Sequence, residues 1–231
     1  SYWSTGQPKK MTYSEVDLPA SVRELLKEAP FEEEADKQYV VNFAANGTVG
    51  KVEVKGPVED NGVGFPGRKT IYVVSYYPHS PGEDAVKRKE IKIQTDRPDV
   101  DVDLYQYNTW YPDGSPRVMA DHIKGIGMWE EGRRGHFVSY YPDGKTRFEG
   151  DYDESRARSI RQSYWPSGAP RKREEYKPSE FGYGWDLVNA TSWYENGAVR
   201  SLTEPSALRG RGYYDIKLFH PDGTLKTEAM D

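Results

Sequence analysis

Short segments in which aromatic or β-branched residues alternate with polar residues follow one another along most of the chain. Segments of this kind cover residues 39–43, 49–55, 70–77 and 135–141. Because successive side chains of a β-strand point to opposite faces, a period of two predicts strands that bury one face. The pattern therefore predicts an all-β protein made of many short antiparallel strands.

A turn motif recurs where these segments end. It has two aromatic residues, a turn that ends in Gly, and a basic residue three positions later, as in residues 140–147, Tyr-Tyr-Pro-Asp-Gly-Lys-Thr-Arg. Such residues are typical of a hairpin, and the pair Asn46-Gly47 favours a two-residue turn with positive φ at both positions. Other versions lie at 2–6, 43–47, 110–114, 164–168, 193–197 and 219–223, and a version at 76–82 is two residues longer.

We expect the motif glycines to be structural turn residues, since Gly adopts positive φ without strain. They are Gly6, Gly47, Gly114, Gly144, Gly168, Gly197 and Gly223. The glycines of successive motifs lie 24 to 41 residues apart, a repeat length typical of stacked arrays. The sequence thus predicts one elongated antiparallel β-meander of about eight hairpins, spanning residues 1–231 as a single domain.

One segment departs from this pattern. Residues 20–28 contain helix formers in which Val22, Leu25 and Leu26 are spaced for one helical face, and Pro30 ends the run. We predict a short helix that caps the open N-terminal edge of the sheet, which would otherwise be free to pair with another chain. The helix and the acidic residues around it form an insert at about 15–37.

Composition limits how such a sheet is stabilised. Hydrophobic residues make up 35% of the 231 residues and charged residues 30%, which is little apolar mass for a thick two-layer core. Of the 31 aromatic residues, 14 occupy the aromatic positions of the turn motifs. We expect aromatic rings on the strand faces to hold the sheet together, and the same richness in aromatic residues argues against disorder.

A family resemblance rests on residues 132–152, Gly-Arg-Arg-Gly-His-Phe-Val-Ser-Tyr-Tyr-Pro-Asp-Gly-Lys-Thr-Arg-Phe-Glu-Gly-Asp-Tyr. This unit resembles the variant MORN repeat of the bacterial YwqK-type antitoxin proteins. The turn core of the pattern also fits the other seven motifs, whereas the helix, the long loops and the acidic stretches have no counterpart in it. The resemblance implies MORN-like hairpin repeats and a non-catalytic antitoxin or immunity role. Such repeats also occur in immunity proteins paired with phospholipase effectors of type VI secretion systems.

The sequence contains no convergent catalytic set. The four histidines are dispersed, and the spacings of helical zinc sites, nucleophile elbows and phosphate-binding loops are missing. The aspartates at 96–103 lack the central Gly and terminal Glu of a calcium loop, and the absence of cysteine excludes disulfides and thiolate metal sites. We therefore expect a protein that is not an enzyme and uses no metal or cofactor.

Acidic residues are concentrated in two stretches. Segment 15–37 has eight acidic and three basic residues, a local net charge of −5 that equals the net charge of the whole chain. It is either a solvated loop or a surface offered to a positively charged cleft, which would suit a toxin that handles phosphate-bearing substrates. The candidate partner-binding residues are Glu32, Glu33, Glu34, Asp36, Asp99, Asp101 and Asp103.

Basic residues form a second candidate site beside Tyr164 and Trp165. They are Arg156, Arg158, Arg161, Arg171, Lys172 and Arg173. A site for RNA or a lipid headgroup is one interpretation, but pairing across a hairpin with Glu174 and Glu175 explains the cluster more simply. The negative net charge also disfavours nucleic acid and anionic membrane as partners.

The expected partner is a cognate protein toxin, with a phospholipase effector as one example. The sequence has no transmembrane run and begins at Ser1 rather than Met. We expect an exported protein, periplasmic or tethered to a membrane by a lipid anchor on a preceding segment, with a cytoplasmic protein as the alternative. The alternative function is a repeat scaffold that binds membrane lipid or envelope glycan through exposed aromatic residues.

Overall fold

The computed structural model describes residues 1–27, 29, 37–57, 68–94, 104–124, 135–153, 158–179, 185–207 and 212–230. Within these ranges it contains the helix α1 (Ala20–Leu25) and fifteen strands. The strands are β1 (Lys10–Ser14), β2 (Gln38–Phe43), β3 (Val49–Pro57), β4 (Arg68–Tyr76), β5 (Lys87–Gln94), β6 (Leu104–Trp110), β7 (Pro116–Lys124), β8 (Gly135–Tyr140), β9 (Thr146–Asp153), β10 (Arg158–Tyr164), β11 (Pro170–Pro178), β12 (Trp185–Trp193), β13 (Val199–Pro205), β14 (Tyr214–Phe219) and β15 (Leu225–Met230).

The strand order in the sheet follows the sequence from β1 to β15, so the chain forms an antiparallel meander with almost no helix. The predicted all-β fold built from hairpins is confirmed. The chain divides into two compact units, Ser1–Pro116 and Arg117–Asp231, which are described separately below as unit 1 and unit 2. The prediction of a single domain stays a prediction.

The turn motifs share one hydrogen-bonding pattern. In each of the seven motifs of regular length, the Gly N–H donates to the carbonyl three residues earlier, with N···O distances of 2.8–3.0 Å. That earlier residue donates its own N–H to the carbonyl of the residue after Gly, at 2.8–2.9 Å. The seven glycines have φ between 81° and 92°. This is a three-residue loop, a type I turn followed by a left-handed Gly that forms a bulge.

The turn at Asn46-Gly47 differs from the two-residue turn favoured by the sequence. The Gly47 N–H donates to the carbonyl of Ala44 at 3.0 Å, and the Ala44 N–H donates to the carbonyl of Thr48 at 2.8 Å. The loop is therefore one residue longer than an Asn-Gly hairpin turn. Asn46 instead supplies its side-chain Oδ1 as an acceptor for the Thr48 N–H at 3.1 Å, which is the Asx turn that this residue type favours.

Unit 1 has an aliphatic core on one sheet face. Alternate residues of β2, β3 and β4 are fully buried there, and the register pairs them across the strands. The most deeply buried are Val41, Val52, Val54, Tyr72 and Val74. The period of two in these strands is what puts all five on the same face.

Helix α1 covers this face rather than the edge of the sheet. Val22 is fully buried in the same cluster, with Leu18 and Leu26 beside it, and the Tyr76 hydroxyl donates to the Leu25 carbonyl at 3.2 Å. The prediction that the helix caps the N-terminal edge is therefore wrong, because its apolar residues pack into the cluster on the valine face. Strand β1 is the edge strand in the strand order.

Unit 2 has few buried apolar side chains in its described residues. Only Ala120, Val138 and Ala190 are buried hydrophobic residues there. The rings of Phe137 and Phe148 pack edge to face with centroids 5.7 Å apart, in the geometry that aromatic pairs prefer. This part of the chain fits the expectation of a thin sheet stabilised by strand pairing and aromatic contacts.

Replacing Gly144 by Val tests the need for a left-handed residue in the turn. Gly144 has φ of 81°, and an added Cβ would meet no atom within 4 Å, so the cost comes from the backbone conformation alone. We expect the free energy of unfolding to fall by roughly 1–3 kcal/mol, because a β-branched residue is strained there. Denaturant unfolding measures the change. Gly144→Asn is the matched control and should cost less, since Asn tolerates this region, and equal losses in the two variants would contradict the explanation.

Candidate functional site

The second aromatic residue of most turn motifs is a hydrogen-bond donor to the next turn. Its side chain donates to the main-chain carbonyl of the first motif residue in the following turn. The five contacts are Trp3 Nε1 to Phe43 at 3.0 Å, Tyr77 Oη to Trp110 at 2.8 Å, Tyr141 Oη to Tyr164 at 2.8 Å, Trp165 Nε1 to Trp193 at 3.3 Å and Tyr194 Oη to Phe219 at 2.9 Å. We call this series the turn ladder, and each contact lies within one unit.

The acceptors of the turn ladder lie where strand pairing is irregular. The register shifts immediately before Phe43, Tyr164, Trp193 and Phe219, which is the bulge of each hairpin. A bulge disrupts the regular pairing of main-chain groups. The neighbouring aromatic side chain thus supplies a donor at the position where the strand ladder is interrupted.

The basic residue of the motif also has a structural contact. Lys9 lies over the ring of Trp3 at 4.8 Å, Arg171 over Trp165 at 4.9 Å and Arg200 over Tyr194 at 5.9 Å. In each pair the basic residue lies six positions after the aromatic residue. Each of these three rings therefore has two contacts, a hydrogen bond to the neighbouring turn and a cation–π contact.

The turn aspartates act as acceptors for the residues that follow them. Asp113 Oδ1 accepts from the Ser115 hydroxyl at 2.6 Å and from the Ser115 N–H at 2.9 Å, and Asp222 makes the same pair of contacts with Thr224. These hydrogen bonds hold the pKa of Asp113 and of Asp222 below its usual value. Turn chemistry accounts for these carboxylates without any ligand.

The predicted partner-binding residues lie outside the described part of the chain. They are Glu32, Glu33, Glu34, Asp36, Asp99, Asp101 and Asp103. The structure does describe the residues that flank them. Ala29 packs against the core and donates its N–H to the Leu26 carbonyl at 2.9 Å, Lys37 is buried, and Gln94 is the register partner of Leu104. Both acidic segments therefore start and end at fixed positions of unit 1.

Topology fixes which strand ends these segments connect. Because the strands alternate in direction, the motif turns connect the strand ends on one side of unit 1, and segments 15–37, 58–67 and 95–103 connect the opposite strand ends. We refer to these three segments together as the connection edge; helix α1, within the first of them, packs over the valine face. The three segments contain 14 acidic and 4 basic residues, a net charge of −10, whereas the rest of unit 1 contains 5 acidic and 10 basic residues, a net charge of +5. The negative charge of unit 1 is therefore concentrated in these three segments of its sequence.

The basic cluster predicted near Trp165 is largely engaged in contacts within the protein. Arg161 lies over the ring of Tyr176 at 4.5 Å, and Arg171 lies over Trp165. Lys172 Nζ contacts Glu174 Oε1 at 2.6 Å, and Arg173 Nη2 contacts Glu175 Oε2 at 4.0 Å. Both of these ion pairs run along β11, and Arg161 lies opposite Glu174 in the register of the hairpin. Arg156 lies outside the described residues.

Two histidines have defined contacts with other groups of the protein. His136 Nδ1 lies 2.8 Å from Asp151 Oδ1, and both side chains are at least half exposed, while His79 Nδ1 lies 3.0 Å from the Tyr77 carbonyl oxygen. Among the described residues, no group of three or more His, Cys, Asp or Glu could hold a metal ion. No helix in the described ranges is long and apolar enough to cross a membrane.

One buried carboxylate was not predicted from the sequence. Glu90 is 8% exposed and accepts a hydrogen bond from the Tyr72 hydroxyl at 2.5 Å and another from Lys87 Nζ at 2.9 Å. Burial, together with the Glu90 contact, raises the pKa of Tyr72 far above its usual value, so the hydroxyl stays a donor. Glu90 is the register partner of Val74, so this polar group lies beside the valine face, and no local motif in the sequence indicates it.

The strands, the shared turn geometry and the turn ladder define a β-hairpin repeat protein. Comparison with known families agrees, because residues 133–154 match the family described as "MORN repeat variant". The chain therefore carries a MORN-type repeat, in the unit on which the sequence resemblance rests. No curated protein matches the chain. A porin-like protein from Bacteroides uniformis, known from a crystal structure, is similar over 87% of this chain and 91% of its own, with 11% identity and a TM-score of 0.25, too low to support an argument.

Removing one donor of the turn ladder tests its contribution to stability. Tyr141→Phe deletes the hydroxyl that reaches the Tyr164 carbonyl and keeps the ring. We expect the free energy of unfolding to fall by about 1 kcal/mol, the usual net contribution of such a hydrogen bond. The control is Tyr2→Phe, because Tyr2 is a first motif residue whose side chain is 66% exposed. Equal effects of the two substitutions would argue against the ladder.

Alkaline pH tests a second tyrosine contact. Burial, followed by the hydrogen bond to Glu149, raises the pKa of Tyr164 to about 12 from 10.0. Since the folded state holds this proton more tightly than the unfolded state, its stabilising effect is complete below pH 10 and is lost as pH rises towards 12. Unfolding followed against pH should show a steeper alkaline loss for the wild type than for Tyr164→Phe. Parallel curves would show that Tyr164 is not the group responsible.

Proposed function

We propose that this protein is a stoichiometric inhibitor that binds a cognate bacterial toxin and blocks its active site, as an immunity protein does. It would act by binding alone and would need no cofactor. The observation that supports this proposal most is the separation of charge in unit 1, with a net −10 on the connection edge and +5 on the remaining residues. The MORN-type repeat supplies a scaffold on which such connections are displayed.

A scaffold of paired strands suits an inhibitor because it fixes where its binding segments begin and end. The acidic segments leave from Ala29 and Gln94 and return at Lys37 and Leu104, all of which belong to the core or to paired strands. Anchored segments lose less conformational entropy on binding than free chains do. A larger share of the contact energy then remains as affinity.

The charge on the connection edge indicates the kind of toxin. An enzyme that acts on phosphate-bearing substrates needs basic groups in its cleft, and acidic connections complement such a cleft. A phospholipase effector of a type VI secretion system meets this description. Inhibition of that enzyme would take place where it meets its lipid, so the proposal includes a periplasmic or membrane-tethered location. A cytoplasmic location would fit a toxin that acts inside the cell.

Lipid binding through the turn aromatics is less well supported. Trp3, Tyr77, Tyr141, Trp165 and Tyr194 donate to neighbouring carbonyls, and three of these rings also contact a cation. Inserting them into a bilayer would break these contacts. Sedimentation with liposomes should therefore leave the purified chain in the supernatant, and lipid-dependent pelleting would favour the scaffold function over inhibition.

The direct test uses the toxin encoded next to this protein. The two purified proteins should form a complex on size exclusion, and the toxin's activity should fall to zero at one equivalent of inhibitor. An intact toxin whose activity does not change in the presence of excess protein would reject the proposal.

Charge reversal on the connection edge tests how the toxin is recognised. In Glu33→Lys/Glu34→Lys, we expect the association rate constant to fall by roughly one to two orders of magnitude at low salt, because opposite charges steer docking. The folding of the chain should not change. Surface plasmon resonance at several salt concentrations measures the rate and its salt dependence.

The matched control is Asp84→Lys/Glu195→Lys, which changes the net charge equally at exposed positions in or next to two turn motifs. Its association rate should stay close to that of the wild type. If both variants lose the same factor, only net charge matters. If neither changes, the acidic connections do not contribute to binding.

A further inference from the structure

The sheet opens in unit 2 between β12 and β13. These strands pair over only four register pairs, from Trp193↔Val199 to Ala190↔Thr203. By contrast, β11 and β12 pair as far as Pro178↔Trp185, and β13 and β14 pair as far as Pro205↔Tyr214. The β11–β12 pair and the β13–β14 pair therefore separate beyond Ala190, and we call each of them an arm. The other hairpins of unit 2 that are closed by a motif turn pair over five or six residues.

A cavity of about 310 Å³ lies between the two arms. One arm contributes Lys177, Asp186 and Leu187, and the other contributes Pro205, Tyr213 and Tyr214. The volume is at the lower end of the range for small-molecule sites, roughly 300–1,000 Å³. We call this space the arm cleft. Its size suits a small ligand better than a long polypeptide segment.

The described lining residues combine hydrogen-bonding groups with apolar surface, and among them one acidic and one basic residue balance each other. Lys177 and Asp186 are register partners, so their opposite charges lie side by side. Asp186 offers acceptors, Lys177 offers donors, and each tyrosine hydroxyl can do both. Tyr213 is 48% exposed and is one of the few large apolar side chains with much accessible surface in the described residues. A ligand with both hydroxyl groups and apolar C–H surface would match such walls.

We propose that the arm cleft binds a neutral saccharide, either a free sugar or one residue of a glycan. The paired charges favour a neutral ligand, because they give neither an anion nor a cation a net attraction. The mixture of donors, acceptors and tyrosine rings favours a saccharide. This proposal does not rest on the inhibitor function. The sugar assay below requires no toxin and the toxin assay requires no sugar, so either proposal can fail without the other.

Saturation-transfer NMR on the whole chain tests this assignment. The probes are glucose and N-acetylglucosamine as neutral sugars, glucosamine and glucuronate as charged sugars, and acetylated trialanine amide as a neutral peptide. We expect a neutral sugar to bind in preference to the other probes. Tyr213→Ala should weaken this binding about tenfold through loss of ring contact. Tyr2→Ala, which removes another exposed tyrosine, should leave it unchanged.

A second variant separates a binding role from a folding defect. Asp186→Asn keeps the size of the side chain but leaves the positive charge of Lys177 unbalanced. Because glucuronate is an anion, its affinity relative to the neutral sugars should rise. The assignment would be overturned if no neutral sugar received saturation, if Tyr213→Ala bound the sugar as well as the wild type, or if the peptide alone bound in the cleft. Dispersed amide spectra of each variant would establish that it is folded.

Discussion

The hydrogen bond from one turn's aromatic side chain to the next turn's carbonyl is the contact on which the repeat depends. A three-residue hairpin loop places a bulge at the end of each strand, and the bulged residue leaves the regular pairing of the sheet. The turn ladder puts a Tyr or Trp donor beside that residue's carbonyl. The same contact also fixes the distance between successive turns. One side chain therefore compensates for an irregular backbone and sets the spacing of the repeat.

The two units contain the same type of turn contact but different amounts of core. Unit 1 adds a second layer, in which α1 covers a face rich in valine, and the buried Glu90 lies beside that face. In the described residues of unit 2, few side chains are buried. Strand pairing, the turn ladder and cation–π contacts therefore contribute a larger share of the stability there than in unit 1. The segments with the highest acidic charge belong to the unit that has the thicker core.

Much of this fold could be predicted from the sequence because each hairpin depends on local turn chemistry. The motif gives the turn positions and the alternation gives the strands. A further signal is that, within the turn motifs, Phe occurs only at the first position, as Phe43 and Phe219. At that position the main-chain carbonyl accepts the hydrogen bond and the side chain is not the donor. Every aromatic residue at the second position is Tyr or Trp, which can donate. Together, these two restrictions indicate that the second ring acts as a hydrogen-bond donor and the first does not.

What could not be predicted depends on register between distant residues. The contact between Tyr72 and Glu90 and the opening of the arm cleft follow from which residues of neighbouring strands face each other, and no single segment contains that information. The place of α1 was missed for a related reason. The spacing of Val22 and Leu26 predicts an apolar helical face, but the face it packs against is formed by three later strands. The candidate acidic residues were chosen by composition, and the topology shows which strand ends their segments connect.

The distribution of charge in unit 1 has a consequence for orientation as well as for affinity. A basic cleft would be attracted to the connection edge, with its net −10, and repelled by the strands and turns, with their net +5. Such a difference in charge favours one docking orientation, which a uniformly acidic protein of the same net charge would lack. Under the proposed inhibitor function, specificity therefore depends on the segments that interrupt the repeat more than on the repeat itself.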